Sequence, residues 1–232
     1  MTKIVLENVT KVIRGNTVTD NVSVVFESGE IIGLKGVNGS GKTMLMRLIA
    51  GLILPTGGRI LIDGEELGKD ITFPRSIGIL IENPAFLDSY SGFKNLQMLA
   101  SIKGVVGDDD VRAAIERVRL DPDDKKKYRK YSLGMKQRLG IAAAVMERPD
   151  IVILDEPTNA LDSDGVEVVK EILREEKKRG ALVIISCHDF ETLKSLSDRM
   201  YLIEAGRLKE YSEAAACRSG AASSEGGDTG EV

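Results

Sequence analysis

An eight-residue stretch near position 40 constrains the fold of this 232-residue chain more than any other feature of its sequence. Residues 36–43 read Gly-Val-Asn-Gly-Ser-Gly-Lys-Thr, which is the pattern of a phosphate-binding loop. The apolar run Ile31–Lys35 before the loop predicts a strand, and Lys42–Ala50 after it predicts a helix that Gly51 terminates. The order of strand, glycine-rich loop and helix predicts a nucleotide-binding core.

The residue types in this loop suit the binding of nucleotide phosphates. Its glycines let backbone N–H groups surround the β-phosphate, and the helix N-terminus adds partial positive charge. Lys42 is expected to reach the β- and γ-phosphate oxygens and to act in catalysis, and the Thr43 hydroxyl is expected to ligate Mg2+. The loop therefore predicts nucleotide contacts from Gly36, Asn38, Gly39, Ser40, Gly41, Lys42 and Thr43.

The hydrophobic pattern divides the rest of the chain into regions. Clusters of β-branched residues predict strands at 4–9, 22–26 and 59–62, whereas helical periodicity dominates from 95 to 146. Later apolar runs alternate with helical stretches, which indicates parallel strands buried on both faces; they are Ile151–Leu154, Leu182–Ser186 and Met200–Ile203. The predicted fold class is α/β, with a helical subdomain at about 84–146 inserted in one domain of residues 1–213. Residues 214–232 contain almost no large apolar side chain, so we expect a disordered tail.

An acidic pair follows the apolar strand at 151–154. Asp155 and Glu156 would lie at the carboxyl end of a buried strand, where ligands bind in open α/β sheets. An isolated Asp-Glu pair is more often a solvent-exposed charge pair, but the phosphate loop upstream favours a catalytic role. We expect Asp155 to hold Mg2+ through water and Glu156 to activate the attacking water as general base.

A third motif, Ser132-Leu133-Gly134-Met135-Lys136-Gln137-Arg138, resembles the signature of the ATP-binding-cassette family. Ser132 can cap the helix that follows, and the bare helix N-terminus at Gly134 can accept the γ-phosphate of a facing subunit. The sequence departs from the family pattern at Leu133, where Gly is usual, and at Met135, where Gln is usual. The resemblance spans Ile4 to about Tyr211. It implies a RecA-like P-loop NTPase core, mostly parallel, with an N-terminal antiparallel β subdomain.

The same resemblance implies roles for further residues. His188 stands where the family has a histidine that contacts the γ-phosphate, and Asp162 belongs to a loop that crosses the dimer interface in the family. Ile13 occupies the position of an aromatic ring that usually stacks on adenine. Because stacking contributes ~1 to 3 kcal/mol per base, weaker ATP binding and looser base selectivity are expected, unless a Tyr or Phe comes from elsewhere. Glu82 replaces the usual Gln near Mg2+ and is expected to contribute to the metal site. The segment Glu82-Asn-Pro-Ala-Phe resembles that of the bacitracin-export and lantibiotic-immunity branch of bacterial exporters.

Composition limits where such a protein works. The sequence has no stretch of about 20 apolar residues and no secretion signal, and its two cysteines indicate no disulfide framework. We therefore expect a cytoplasmic protein, peripheral on the inner face of the cell membrane. A formal net charge of -4 argues against a nucleic-acid partner. Since the glycine-rich motif occurs once, a second cassette must come from another chain, as a homodimer or a heterodimer.

These observations predict an ATPase subunit that dimerises around two Mg-ATP and drives a membrane permease. The resemblance implies export of a peptide antibiotic, bacteriocin or other hydrophobic compound. One alternative is a soluble non-transport ATPase of the same family that acts on nucleic acid or in translation. Another is a module that binds nucleotide without hydrolysis, which would predict the loss of Glu156 or His188; both residues are present.

Overall fold

The computed structural model describes residues 1–211, so the tail predicted at 214–232 lies outside the described residues. The helices and strands are, in chain order, β1 (Lys3–Ile13), β2 (Asn16–Glu27), β3 (Ile31–Lys35), α1 (Lys42–Ile49), β4 (Gly57–Ile62), β5 (Glu65–Glu66), β6 (Ile77–Leu80), α2 (Gly92–Lys103), α3 (Asp108–Arg117), α4 (Leu133–Val145), β7 (Ile151–Leu154), α5 (Ser163–Lys178), β8 (Leu182–Ser186), α6 (Phe190–Leu196), β9 (Arg199–Glu204) and β10 (Arg207–Glu210). A 3-10 turn, Tyr128–Lys130, precedes α4.

A six-stranded sheet in the order β10-β9-β3-β8-β7-β6 forms the centre of the molecule. Its strands are parallel except for β10, which returns antiparallel to β9. All residues of β7 and β8 are buried, as expected for apolar strands covered on both faces. The prediction of an α/β fold with a mostly parallel core is confirmed.

A second sheet, in the order β2-β1-β4-β5, is antiparallel and built around the long β1–β2 hairpin. Buried side chains of this sheet, among them Leu6 and Phe26, share one hydrophobic cluster with α1 and one face of the parallel sheet. The antiparallel sheet thereby supports the helix that follows the phosphate loop. This is the N-terminal β subdomain that the sequence predicts.

The helices α2, α3 and α4 follow β6 and cover the other side of the molecule. They share a second hydrophobic cluster with α5 and the opposite face of the parallel sheet. The chain approaches very closely where α4 crosses β6, because a Cβ on Gly78 would lie 1.7 Å from the Ala144 carbonyl oxygen. The helices lie inside the predicted range 84–146, whose limits as a subdomain stay a prediction. In residues 1–211, none of the helices has the length and apolar character needed to span a bilayer.

Candidate functional site

Four neighbouring parallel strands end at the same edge of the central sheet. The phosphate loop follows β3, Glu82 follows β6, the acidic pair follows β7, and His188 follows β8. Loops after adjacent parallel strands converge, and such an edge is where α/β proteins bind ligands. The strand order therefore explains how residues from four separate segments form one site.

The phosphate loop is held by close backbone contacts on two sides. A Cβ on Gly36 would lie 2.5 Å from the Ile203 carbonyl oxygen, and one on Gly41 would lie 2.6 Å from that of Val18. Gly41 also has a φ of 111°, a conformation that side chains disfavour. Lys42 is buried, and its Nζ donates to the carbonyl oxygens of Gly36 at 2.7 Å and of Val37 at 3.2 Å. Its ammonium group thus lies inside the curve of the loop.

Asp155 joins the phosphate loop to strand β8 through two hydroxyl groups. Thr43 Oγ1 donates to Asp155 Oδ2 at 2.6 Å, and Ser186 Oγ donates to Asp155 Oδ1 at 2.5 Å. Ser186 is fully buried and Asp155 is nearly so. Both carboxylate oxygens therefore have defined hydrogen bonds, as a buried charged group requires.

Glu156 and His188 contact each other beside this cluster. Glu156 Oε2 lies 2.7 Å from His188 Nε2, and the Glu156 N–H donates to Ser186 Oγ at 2.9 Å. Glu156 has a φ of 52°, a left-handed conformation that is uncommon outside glycine and is often found at functional sites. Gln137 Nε2 donates to the Glu156 carbonyl oxygen at 3.1 Å. The backbone carrying Glu156 is thus fixed from both sides.

A cavity of about 250 Å3 opens beside Asp155 and Glu156. It is lined by Glu82, Asn83, Gln137, Asp155, Glu156 and Asn159. The Glu82 carboxylate is 65% exposed, and its Oε1 lies 2.5 Å from Arg47 Nη2 on α1. The structure therefore pairs the predicted metal residue Glu82 with a cation and places it in the wall of the same cavity as Asp155.

The predicted signature residues form a separate group with the loop before α5. Ser132 caps α4 by accepting a hydrogen bond from the Met135 N–H, and a Cβ on Gly134 would lie 3.0 Å from the Ala160 carbonyl oxygen. Asp162 caps α5, and its Oδ1 also accepts from Arg138 Nη2 at 3.0 Å. The hydrogen bond from the Gly165 N–H, followed by the charge of Arg138, holds the pKa of Asp162 below its ordinary value. Ser132, Gly134 and Asp162 therefore share one surface within the chain.

Ile13 ends β1 at the tip of the β1–β2 hairpin, and its side chain is 37% exposed. The hairpin approaches the phosphate loop through Val18, whose carbonyl oxygen packs against Gly41. Ile13 thus presents an aliphatic surface on a strand that supports the loop. Its contact with the nucleotide base stays a prediction.

Three residues of the site were missed by sequence reasoning. Ser186 is the polar end of an otherwise apolar strand, the same signal that identified Asp155, so the sequence offered a means of finding it. Gln137 lies on α4, which contains both polar and apolar residues, and Arg47 lies in the last turn of α1. Gln137 is part of the predicted signature motif, but its contact with the Glu156 backbone was not predicted, and no sequence pattern marked Arg47 for a role.

Comparisons with known proteins identify the family of this chain. A family model described as ABC transporter matches residues 19–159. The chain is 52% identical to the ABC transporter ATP-binding protein YybJ of Bacillus subtilis (strain 168), over 87% of this chain and 93% of that protein. It is 37% identical to the bacitracin transport ATP-binding protein BcrA of Enterococcus faecalis, over 88% of this chain and 67% of that protein. It is 34% identical to the lantibiotic transport ATP-binding protein SrtF of Streptococcus pyogenes, over 89% and 90%.

Solved structures give the same result for the fold. The structure of an ATP-binding subunit of an ABC transporter superposes with a TM-score of 0.83 at 25% identity, covering 94% of this chain and 93% of that one. The cassette MJ0796, solved as a dimer in a post-hydrolysis state with ADP and Pi, superposes with a TM-score of 0.82 at 24% identity, covering 90% and 97%. The chain belongs to the ABC transporter family, as an ATP-binding subunit with ATPase activity. The predicted resemblance to bacitracin and lantibiotic transport proteins is confirmed.

Proposed function

We propose that this chain closes as a dimer around two Mg-ATP and uses their hydrolysis to drive a membrane permease that exports a peptide antibiotic, bacteriocin or similar hydrophobic compound. In this role the protein is cytoplasmic and peripheral on the inner face of the membrane. The observation that carries the proposal is the cluster behind the phosphate loop, in which Asp155 contacts Thr43 and Glu156 contacts His188. The Arg47–Glu82 ion pair joins this site to an apolar groove on the adjoining surface.

The residues at the sheet edge divide the chemistry of hydrolysis among them. Lys42 exchanges the carbonyl oxygens of its own loop for phosphate oxygens when nucleotide binds. The convergent oxygens of Thr43 and Asp155 form a donor set that fits Mg2+, which prefers a few protein oxygens together with phosphates and water. Mg2+ would there neutralise charge on the β- and γ-phosphates. Glu156 removes a proton from the attacking water, and His188, held at 2.7 Å from Glu156, contacts the γ-phosphate.

Dimerisation completes the site with the surface around Ser132. The N-terminus of α4 at Ser132 and Gly134 offers backbone N–H groups to the γ-phosphate bound by the partner subunit, and Asp162 lies where the two chains meet. Leu133, in place of the usual glycine, is 64% exposed and so is available to the partner. The dimeric form of the similar cassette MJ0796 supports this arrangement.

The groove that meets the permease lies between α1, β6 and α4. Its volume is about 340 Å3, and its lining includes Leu52, Ile79, Pro84, Phe86 and Leu99 together with Arg47. Leu52, Ile79 and Leu99 are each exposed by more than a third, which favours an apolar helix of the permease as occupant. The similarity to bacitracin and lantibiotic transport proteins supports export as the direction.

Copurification with the permease tests this function. We expect Leu52→Glu, which puts a carboxylate into the groove, to lower by at least about tenfold the amount of a polytopic membrane protein retained, because unpaired charge is excluded from apolar contacts. Candidates for this membrane protein are sought among the genes that flank the gene of this chain. The ATPase rate of the isolated variant should equal that of the unmodified chain. The matched control is Val25→Glu on β2, outside the groove; equal retention by both variants would reject this docking surface.

The proposed metal contact of Glu82 predicts a change in Mg2+ requirement. We expect Glu82→Gln to raise the Mg2+ concentration for half-maximal ATPase activity by about fivefold, since contacts to exposed charges are worth ~1 kcal/mol. Nucleotide binding without metal should be nearly unchanged. The measurement is a Mg2+ titration of ATPase rate at saturating ATP.

The Arg47 pair supplies the control for this titration. Arg47→Met releases the Glu82 carboxylate from its cation, so the Mg2+ requirement should fall instead of rising. If Glu82 acts in coupling alone, Glu82→Gln leaves the isolated ATPase unchanged and lowers only transport with the permease present. An unchanged metal requirement would therefore reject the Mg2+ role of Glu82.

A further inference from the structure

Lys35 is the last residue of β3 and lies directly before the phosphate loop, yet its side chain turns toward two aromatic rings. Its Nζ lies 3.8 Å from the centre of the Phe190 ring and 5.5 Å from that of Tyr211. The two rings meet edge to face at 5.5 Å and 71°. We call these three side chains, Lys35, Phe190 and Tyr211, the Lys35 clamp.

The clamp is an attractive contact that the fold preserves. An ammonium group over the face of an aromatic ring is stabilised by the ring quadrupole. Among residues 1–211, no carboxylate forms an ion pair with Lys35, so the two ring faces are the contacts that stabilise its ammonium group. Tyr211 is held in turn by its N–H, which donates to the Met200 carbonyl oxygen at 2.8 Å. Lys35 therefore joins β3, the start of α6 and the segment after β10.

The clamp acts on the short segment that carries His188. Ser186, at the end of β8, is fixed by its hydrogen bond to Asp155, and Phe190 begins α6. Asp189 caps that helix by accepting a hydrogen bond from the Thr192 N–H at 2.8 Å. Because His188 is 54% exposed, its position depends, besides its contact with Glu156, on how Ser186 and Phe190 on either side of it are held.

We propose that Lys35 is a positioning residue for His188: through Phe190 it holds the His188 segment at the distance from Glu156 that hydrolysis needs. The inference rests on the role proposed above for His188 in hydrolysis. It adds a contact from the strand before the phosphate loop, so that the loop and His188 share one anchor. The ammonium group of Lys35 faces the rings, so the proposed role does not depend on a contact with phosphate.

The test compares Lys35→Met with Lys35→Arg in the full chain. Met keeps the length of the side chain and removes the charge, so kcat should fall by about three- to tenfold, the effect expected from losing one cation–π contact. The KM for ATP and the dissociation constant of a fluorescent ATP analogue should stay within about twofold, because phosphate contacts are intact. Arg restores a cation over the ring and should restore kcat.

Two further variants separate positioning from general destabilisation. Phe190→Leu removes the aromatic partner of the same contact. The double variant Lys35→Met/Phe190→Leu should lower kcat no further than either single variant does. Arg112→Met removes a similar cation–π contact in the helical insertion, where the Arg112 guanidinium lies 5.0 Å from the centre of the Phe93 ring, and should leave kcat unchanged. The proposal would be overturned if Lys35→Arg lowered kcat as much as Lys35→Met does. It would also be overturned if the Arg112→Met control lowered kcat to the same extent.

A His188→Ala background distinguishes this inference from the function on which it rests. In that background, measured by single turnover, Lys35→Met should cause no additional loss. A full additional loss would mean that Lys35 acts elsewhere and would reject the positioning role. A normal kcat for His188→Ala alone would instead reject the role of His188, whereas a large loss there with unchanged kcat in Lys35→Met would reject only the clamp.

Discussion

Replacement of Glu156 by Gln is expected to lower kcat for ATP hydrolysis by about 10^2 to 10^4, the effect of losing a general base. The amide keeps the shape of the side chain, and the backbone contacts to Ser186 and Gln137 do not involve it. Nucleotide binding at the phosphate loop should therefore be retained. What the amide cannot do is accept a proton from water, so ATP should remain bound and the closed dimer should accumulate.

Gel filtration with ATP and Mg2+, at matched protein concentration, measures that accumulation beside a single-turnover assay. The unmodified chain should return to the monomer as ATP is consumed, whereas Glu156→Gln should remain dimeric. Glu167→Gln, an exposed carboxylate on α5, is the matched control and should behave as the unmodified chain. A Glu156→Gln protein that hydrolyses at the normal rate, or stays monomeric with ATP, would contradict the assignment of Glu156.

The parallel core could be predicted from sequence because its strands are buried on both faces and therefore read as continuous apolar runs. The bounds of β3, β7 and β8 agree with the predicted ranges. The prediction did not identify β6 as a strand, since Ile-Gly-Ile-Leu is short and includes Gly78, which α4 requires for close approach. β10 was also missed because its sequence, Arg-Leu-Lys-Glu, is mostly polar at the edge of the sheet.

For the site, sequence motifs identified the main residues, whereas tertiary packing determines which groups contact them. Motifs placed Thr43, Asp155, Glu156 and His188 on separate segments, and the strand order brings those segments to one edge. Motifs do not encode which neutral or charged groups orient the carboxylates. The pairing of Glu82 with Arg47 depends on α1 lying beside the end of β6, a tertiary relation that no local pattern contains.

A buried ion cluster links the helical insertion to the core on the side of α5. Glu176 is 1% exposed and forms ion pairs with Arg117 of α3 at 2.9 Å and with Arg179 at 2.5 Å. Burial by itself lowers the pKa of Arg117, but hydrogen bonds to Glu176 and Glu175 outweigh this and raise the pKa above its ordinary value. Glu175, the neighbouring residue, also pairs with Arg117 but is 63% exposed. The two glutamates thus contact the same cation from buried and exposed positions.

Glu176→Ala is therefore expected to lower the free energy of unfolding by about 3 to 5 kcal/mol, because it leaves two guanidinium groups without their buried partner. Glu175→Ala is the matched control and should cost no more than ~1 kcal/mol, as an exposed ion pair does. Urea unfolding of the two variants and the unmodified chain, followed by circular dichroism, gives the comparison. Adding Arg179→Met to Glu176→Ala should recover part of the loss, since Arg117 keeps Glu175 as a partner whereas Arg179 then has no carboxylate partner among residues 1–211. Equal losses for Glu175→Ala and Glu176→Ala would show that burial of the cluster does not set its contribution to stability.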